Sequence, residues 1–105
     1  MKMRIEQSAQ VLAFIRSLSP EPRKAMRAAL HKLEKSEGEV KVLEGELAGY
    51  SRLRVGSFRI IFRIATEHGI AVAKCAFAER RALVYELFAH ELRRAMEKSV
   101  SESDD

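Results

Sequence analysis

Apolar and polar positions along this chain change period several times, and each change marks an element. Met1, Met3 and Ile5 alternate with Lys2 and Arg4, the period-two pattern of a short strand. Ser8 stands where an N-cap belongs, ahead of Val11, Leu12, Phe14, Ile15 and Leu18 at helical spacing. Ser19-Pro20 then restarts the chain, a capping serine with proline at the first helical position. Pro22 is still within the first turn, where a missing amide hydrogen costs little. Met26, Ala29, Leu30 and Leu33 form the stripe of that second helix, and Gly38 is expected to end it.

After a connector over 39–49 anchored by Leu43 and Leu47, the runs Ser51 to Val55 and Phe58 to Ile64 flank Gly56-Ser57. Glycine first in a two-residue loop suits a type II′ hairpin turn. That turn sets Val55 opposite Phe58, Arg54 opposite Arg59, Leu53 opposite Ile60 and Arg52 opposite Ile61. Alternation places Leu53, Val55, Phe58, Ile60, Phe62 and Ile64 on a core face. Tyr50, Arg52, Arg54, Arg59, Ile61 and Arg63 fall on the other. Ile70 to Ala78 reads as a third strand after a turn at 65–69, with Phe62 expected opposite Ala73, Phe58 opposite Phe77, and Lys74 on the arginine side. From Arg80 to about Lys98, Val84, Leu87, Phe88, Leu92, Ala95 and Met96 repeat at helical spacing, with Tyr85 at the rim. Residues 99–105 read as a disordered acidic tail. The sum is an α+β domain over 1–98 in the order β-α-α-β-β-β-α, an antiparallel sheet packed against an N-terminal helical hairpin and a C-terminal helix.

Composition narrows the function. At 105 residues the chain has room for one core. It has no apolar run long enough to span a membrane and no signal-peptide core, so a cytoplasmic location is expected. Its single cysteine, Cys75, cannot form an internal disulfide and sits in an apolar run, as a core residue would. Formal net charge is +4, and the segment from Tyr50 to Arg81 holds seven bases against two acids, so it supplies the whole excess. Four arginines and no acid on one hairpin face suit anion binding. The competing reading is a solvated outer face, since two arginine heads about 6 Å apart in water repel by only ~0.7 kcal/mol. His31, His68 and His90 lack ligand spacing, and the only aspartates are Asp104 and Asp105, so no metal site and no cofactor are expected. The basic residues of the helical hairpin, Arg16, Arg23 and Lys24 among them, read as a solvated helix face.

The stretch LEGELAGYSRLRVGSFRIIFRI, followed by a third strand and then ERRALVYEL, resembles the RelE/ParE superfamily of toxins from bacterial toxin–antitoxin pairs. The likeness runs from about Met1 to Met96, and its most specific part is GYxRLRVGxxRIIFRI. The resemblance implies either a ribosome-dependent messenger-RNA endonuclease or a poison of DNA gyrase, together with a co-encoded antitoxin as partner. On the nuclease branch, Arg59 matches the arginine that contacts the scissile phosphate, and Arg52 matches a basic residue of the first hairpin strand. Arg80 or Arg81 lies where a second catalytic basic residue is kept, and Tyr85 matches a tyrosine proposed as general base or substrate platform. Arg54, Arg63, Lys74 and Tyr50 would line the RNA path.

The departures are Ser51 and Arg52 where that branch has lysines, Lys41 near the place of an acid–base glutamate, and no histidine beside Tyr85. The chemistry implied is metal-free. The 2′-hydroxyl of RNA attacks the adjacent phosphate, leaving a cyclic phosphate and a 5′-hydroxyl, while guanidiniums hold the phosphoryl oxygens. A phenol ringed by cations is a coherent base for the first proton. A module that binds RNA or an acidic peptide without turnover is the third reading.

Overall fold

Two hairpins and a parallel N-terminal strand build the five-stranded sheet of the computed structural model, which describes residues 2–103. The elements are β1 (Arg4–Gln7), α1 (Ala9–Ser17), α2 (Pro20–Glu34), β2 (Val40–Val42), a 3-10 turn (Gly45–Leu47), β3 (Ser51–Val55), β4 (Phe58–Glu67), β5 (Ile70–Arg80) and α3 (Val84–Ser103). The strand order is β1-β5-β4-β3-β2, with β1 parallel to β5 and every other pair antiparallel. The α+β class is as expected. The extra strand is β2, a Val-Lys-Val run too short to show a period, which pairs with β3 at the sheet edge.

Helix ends follow from local chemistry. Ser8 caps α1, its Oγ accepting from the Val11 amide at 3.2 Å. Arg23 closes the other end of α1, its Nη2 donating to the Leu18 carbonyl at 2.8 Å and to Arg16 at 3.3 Å. A cation there also suits the negative end of the helix. The stop of α2 differs from expectation, because Ser36 rather than Gly38 takes the left-handed conformation, with φ of 59°. The Ser36 amide donates to Leu33 and the Glu37 amide to Lys32, the two bonds of a Schellman ending. Gly38, at φ of 119°, instead passes so close to Leu53 that a Cβ would lie 2.9 Å from its Cδ1. At the far end, α3 continues to Ser103, past the expected limit near Lys98. The sequence from Val84 to Ser103 contains no glycine or proline to stop it. Asp104 and Asp105 of the expected tail lie outside the described residues, as does Met1 of the first strand.

The β3–β4 register is the one that Gly56-Ser57 dictates, and Gly56 has φ of 58°. The β4–β5 register is not the expected one. His68 and Gly69 both have positive φ, 53° and 77°, so they alone form the turn and Glu67 pairs with Ile70. A bulge then breaks the ladder beside Ile61/Phe62: Phe62 faces Cys75, Ile61 faces Phe77, and Ala76 is the extra residue. Phe58 consequently faces Arg80, and Lys74 faces Arg63.

The sheet is apolar on both faces. On one side α1 and α2 cover Leu53, Val55, Ile60, Phe62, Ala73 and Cys75 with Val11, Ile15, Met26, Leu30 and Leu33. Phe14 meets Phe58 edge-on, with ring centroids 5.8 Å apart. On the other side Ile61 and Phe77 pack under Val84, Phe88 and Ala89 of α3 and Leu47 of the 3-10 turn. Ile61 and Val84 are both 0% exposed, so the face expected to be mostly guanidinium carries a second core at its centre.

Candidate nucleic-acid interface

The second core divides the predicted cations into two groups. At the hairpin tip, cross-strand pairing lines up Arg54, Arg59 and Glu79 in one row across β3, β4 and β5. Directly opposed residues in such a row have Cβ atoms about 4.5–5.5 Å apart. Beyond the end of β5, the Arg81 amide donates to the Ser57 carbonyl at 2.9 Å, continuing the ladder one step to the hairpin turn. Alternation assigns that step to the α3 face, with Arg59 and Glu79. Arg80 belongs to the opposite face, where its guanidinium stands 6.0 Å from the centroid of the Phe58 ring. The strand alternation therefore groups Arg81 with the hairpin arginines, while Arg80, on the other face, still reaches to 3.7 Å from Glu79.

Arg59 is the surprise of this group. It is only 6% exposed, and its Nη1 donates to the carbonyls of Gly56 and Phe58, both at 2.8 Å. One arm of the guanidinium thus ties down the turn that precedes it. Arg54 is exposed, its Nε 3.6 Å from Glu39 Oε2, and Arg52 donates from Nη1 to the Glu39 carbonyl at 3.3 Å. Exposed ion pairs of this kind are worth at most about 1 kcal/mol and yield readily to a polyanion.

At the other end of the same face Lys74 is already matched. Lys74 Nζ lies 2.7 Å from Glu67 and 3.8 Å from Glu6, and Arg4 completes the network at 2.7 Å from Glu67. The Lys74 ammonium, hydrogen-bonded to Glu67, holds that carboxyl below its ordinary range. Desolvation opposes the effect, and the charges of Lys74 and Arg4 add to it. Lys74 was expected on the RNA path, but the short His68-Gly69 turn sets it opposite exposed Arg63, away from the hairpin tip.

The two tyrosines also settle into the second core. Tyr50 meets Phe88 edge-on at 5.0 Å, and Tyr85 packs at the margin of the same cluster. Tyr85 lines an open cleft of about 370 Å³ with Glu44, Glu46, Leu47, Glu86, Ala89 and Arg93. Carboxylates, not the predicted ring of guanidiniums, line that cleft, and its one arginine is committed: Arg93 Nη1 donates to both oxygens of Glu46, at 2.7 and 2.9 Å. Sequence reasoning missed this clamp, which fastens α3 to the 3-10 turn. It also passed over Glu79, whose place beside Arg59 depends on a register that the bulge decides.

Among the described residues no three His, Cys, Asp or Glu side chains are grouped so as to hold a metal ion, and no helix is long and apolar enough to cross a membrane. Cys75 is buried, and burial pushes its thiol up to about 12.

No protein-family model matches the sequence, and no curated protein matches it. Solved structures do resemble it. The RelBE2 toxin–antitoxin complex from Mycobacterium tuberculosis is 24% identical with a TM-score of 0.63, covering 77% of this chain and 100% of that one. The archaeal RelE–RelB complex from Pyrococcus horikoshii is 24% identical with a TM-score of 0.59, covering 77% and 97%. A YoeB/ParE toxin from Agrobacterium tumefaciens is 13% identical with a TM-score of 0.62, covering 75% and 99%. The chain has the fold shared by the RelE, ParE and YoeB toxins.

Proposed function

We propose that this chain is the toxin of a toxin–antitoxin pair and a metal-independent endoribonuclease that cuts messenger RNA on the ribosome. The observation that carries the reading is the row at the hairpin tip. Arg54 and Arg59 oppose each other, and Arg81 is hydrogen-bonded across the turn at the next step of the ladder. Three guanidiniums at one end of a sheet form a grip for a phosphodiester, and the fold on which they sit supports the assignment. In this scheme Arg54 and Arg81 contact phosphoryl oxygens, while Arg59 holds the turn rigid and offers its remaining edge. Preorganised donors of this kind are worth about 10²–10³ each in rate.

The reading includes a co-encoded antitoxin, because solved structures of this fold include toxin–antitoxin complexes. The part of α3 beyond the Arg93–Glu46 clamp is the element such a partner would move, since Met96 there is largely exposed.

Primer extension on cellular messages after induction tests the activity. The native chain should produce new 5′ ends that an Arg54→Ala/Arg81→Ala double variant does not. Intact messages with inhibited DNA supercoiling would replace this reading with the gyrase-poison one. Salt-sensitive RNA binding without any cleavage would leave a binding module.

A further inference from the structure

We infer that Glu79 is the general base of the proposed RNA cleavage, an inference that rests on the endonuclease reading of this face. The reaction needs a group that takes a proton from the 2′-hydroxyl, and the arginines of the row are permanently charged donors that cannot. The other acids that the structure pairs with cations lie outside the Arg54–Arg59–Glu79 row. Glu39 faces Arg54, Glu46 is clamped by Arg93, and Glu6 and Glu67 belong to the Lys74 network.

Glu79 is placed differently. It is the cross-strand partner of Arg59 on the α3 face. Opposed across the ladder, the two nevertheless form no ion pair within 4.0 Å among the described residues, because Arg59 Nη1 is turned back onto the Gly56 and Phe58 carbonyls. Its Oε1 accepts from the Arg80 amide at 2.9 Å and lies 3.7 Å from the Arg80 guanidinium. Its Oε2 accepts no hydrogen bond among the described residues, and the side chain keeps 18% of its accessibility. One oxygen therefore orients the carboxylate and the other is free to accept a proton. A phosphodiester held by Arg54 and Arg81 would bring a ribose hydroxyl to it.

The step balances without a co-reactant. Glu79 takes the 2′-hydroxyl proton as the 2′-oxygen bonds to phosphorus. The bond from phosphorus to the 5′-oxygen breaks, and that oxygen is protonated by water. Glu79 then returns its proton to solvent. The charged groups around it are Arg59 on β4, Arg54 beyond it on β3, and Arg80 and Arg81 next in sequence.

Glu79→Gln keeps the acceptor for the Arg80 amide and removes only the proton acceptor. The test is single-turnover cleavage of a message on programmed ribosomes by the full chain, as a function of pH, with Glu79→Gln, Tyr85→Phe and the native protein checked for equal thermal stability. The expected result is a loss of at least 10²-fold in rate for Glu79→Gln, together with loss of the acid limb of the native pH–rate profile. If Glu79→Gln keeps the native rate and limb, or if Tyr85→Phe alone removes the limb, the inference is overturned while the endonuclease reading survives. If the native chain cuts no message at all, the endonuclease reading itself fails and takes this assignment with it.

Discussion

Gln10 and Ala78 are joined by two hydrogen bonds, the side-chain Nε2 donating to the Ala78 carbonyl at 2.7 Å and the Ala78 amide donating to Oε1 at 2.8 Å. The parallel pairing of β1 with β5 stops at Gln7 and Cys75, so without Gln10 the edge of β5 beyond the bulge would lack these partners. Ser8 serves the bulge residue similarly, its Oγ donating to the Ala76 carbonyl at 2.9 Å. Gln10→Ala should therefore destabilise the fold by about 1–3 kcal/mol, the cost of part-buried backbone groups left unpaired. Urea unfolding checks this, and a change under 0.5 kcal/mol would show that water replaces the amide without penalty.

The second core predicts its own weak point. Ile61 is fully buried between Phe77 and the start of α3, so Ile61→Ala should cost about 2–5 kcal/mol. Amide exchange in the first turns of α3 should rise more than in α2, because α2 packs on the opposite face. Equal acceleration in both helices would mean that the two cores open as one unit.

Cys75 makes stability depend on alkaline pH. Its thiol is raised from 9.0 to about 12 in the fold by burial. Between those values the unfolded chain loses the thiol proton and the folded chain retains it. The thiol's contribution is thus fully present below about pH 9 and is lost as pH rises toward 12. The urea midpoint of the native chain should fall between pH 8 and pH 10.5 by more than that of Cys75→Ala, and parallel curves would refute the assignment.

The division of cations predicts which of them a nucleic acid feels. Lys74 is engaged by Glu67 and Glu6, whereas Arg54 faces solvent at the hairpin tip. Arg54→Ala should flatten the slope of log affinity for single-stranded RNA against log salt by roughly 0.7, one phosphate contact, and Lys74→Met should leave it unchanged. Fluorescence anisotropy over a salt series measures both.

The His68-Gly69 turn offers a gain. Histidine at φ of 53° occupies a position where asparagine is better tolerated, and Asn-Gly is the preferred pair for two residues of positive φ. His68→Asn should stabilise the fold by on the order of 0.5 kcal/mol. A lower melting temperature would show that the imidazole is doing something the backbone does not reveal.

Much of this was legible in the chain. Gly56 alone fixes the β3–β4 register, and the stripes Val11/Ile15 and Met26/Leu30/Leu33 give α1 and α2 and the face they cover. What was hidden has physical causes. The turn is only His68-Gly69, shorter than the one expected at 65–69, and this moves the partners of Phe62 and Lys74. A bulge, which leaves no period of its own, moves that of Phe58 one step further. Ile61 stood among the arginines of the second face, and its meaning required knowing that α3 lies over it. The burial of Arg59 follows from a side chain folding back on its own turn, which alternation does not encode.

The N-terminal strand pairs in the sheet with residues 68 positions downstream, from Arg4 with Val72 to Gln7 with Cys75, and Ser8 and Gln10 keep that spacing to Ala76 and Ala78. During synthesis the first strand therefore waits, unpaired, until most of the chain has left the exit tunnel, and the sheet closes only when β5 emerges. The hairpin tip and the helical pair can form earlier, but their alignment is locked last. Closure of the sheet thus waits on the distance along the chain between its first strand and its last.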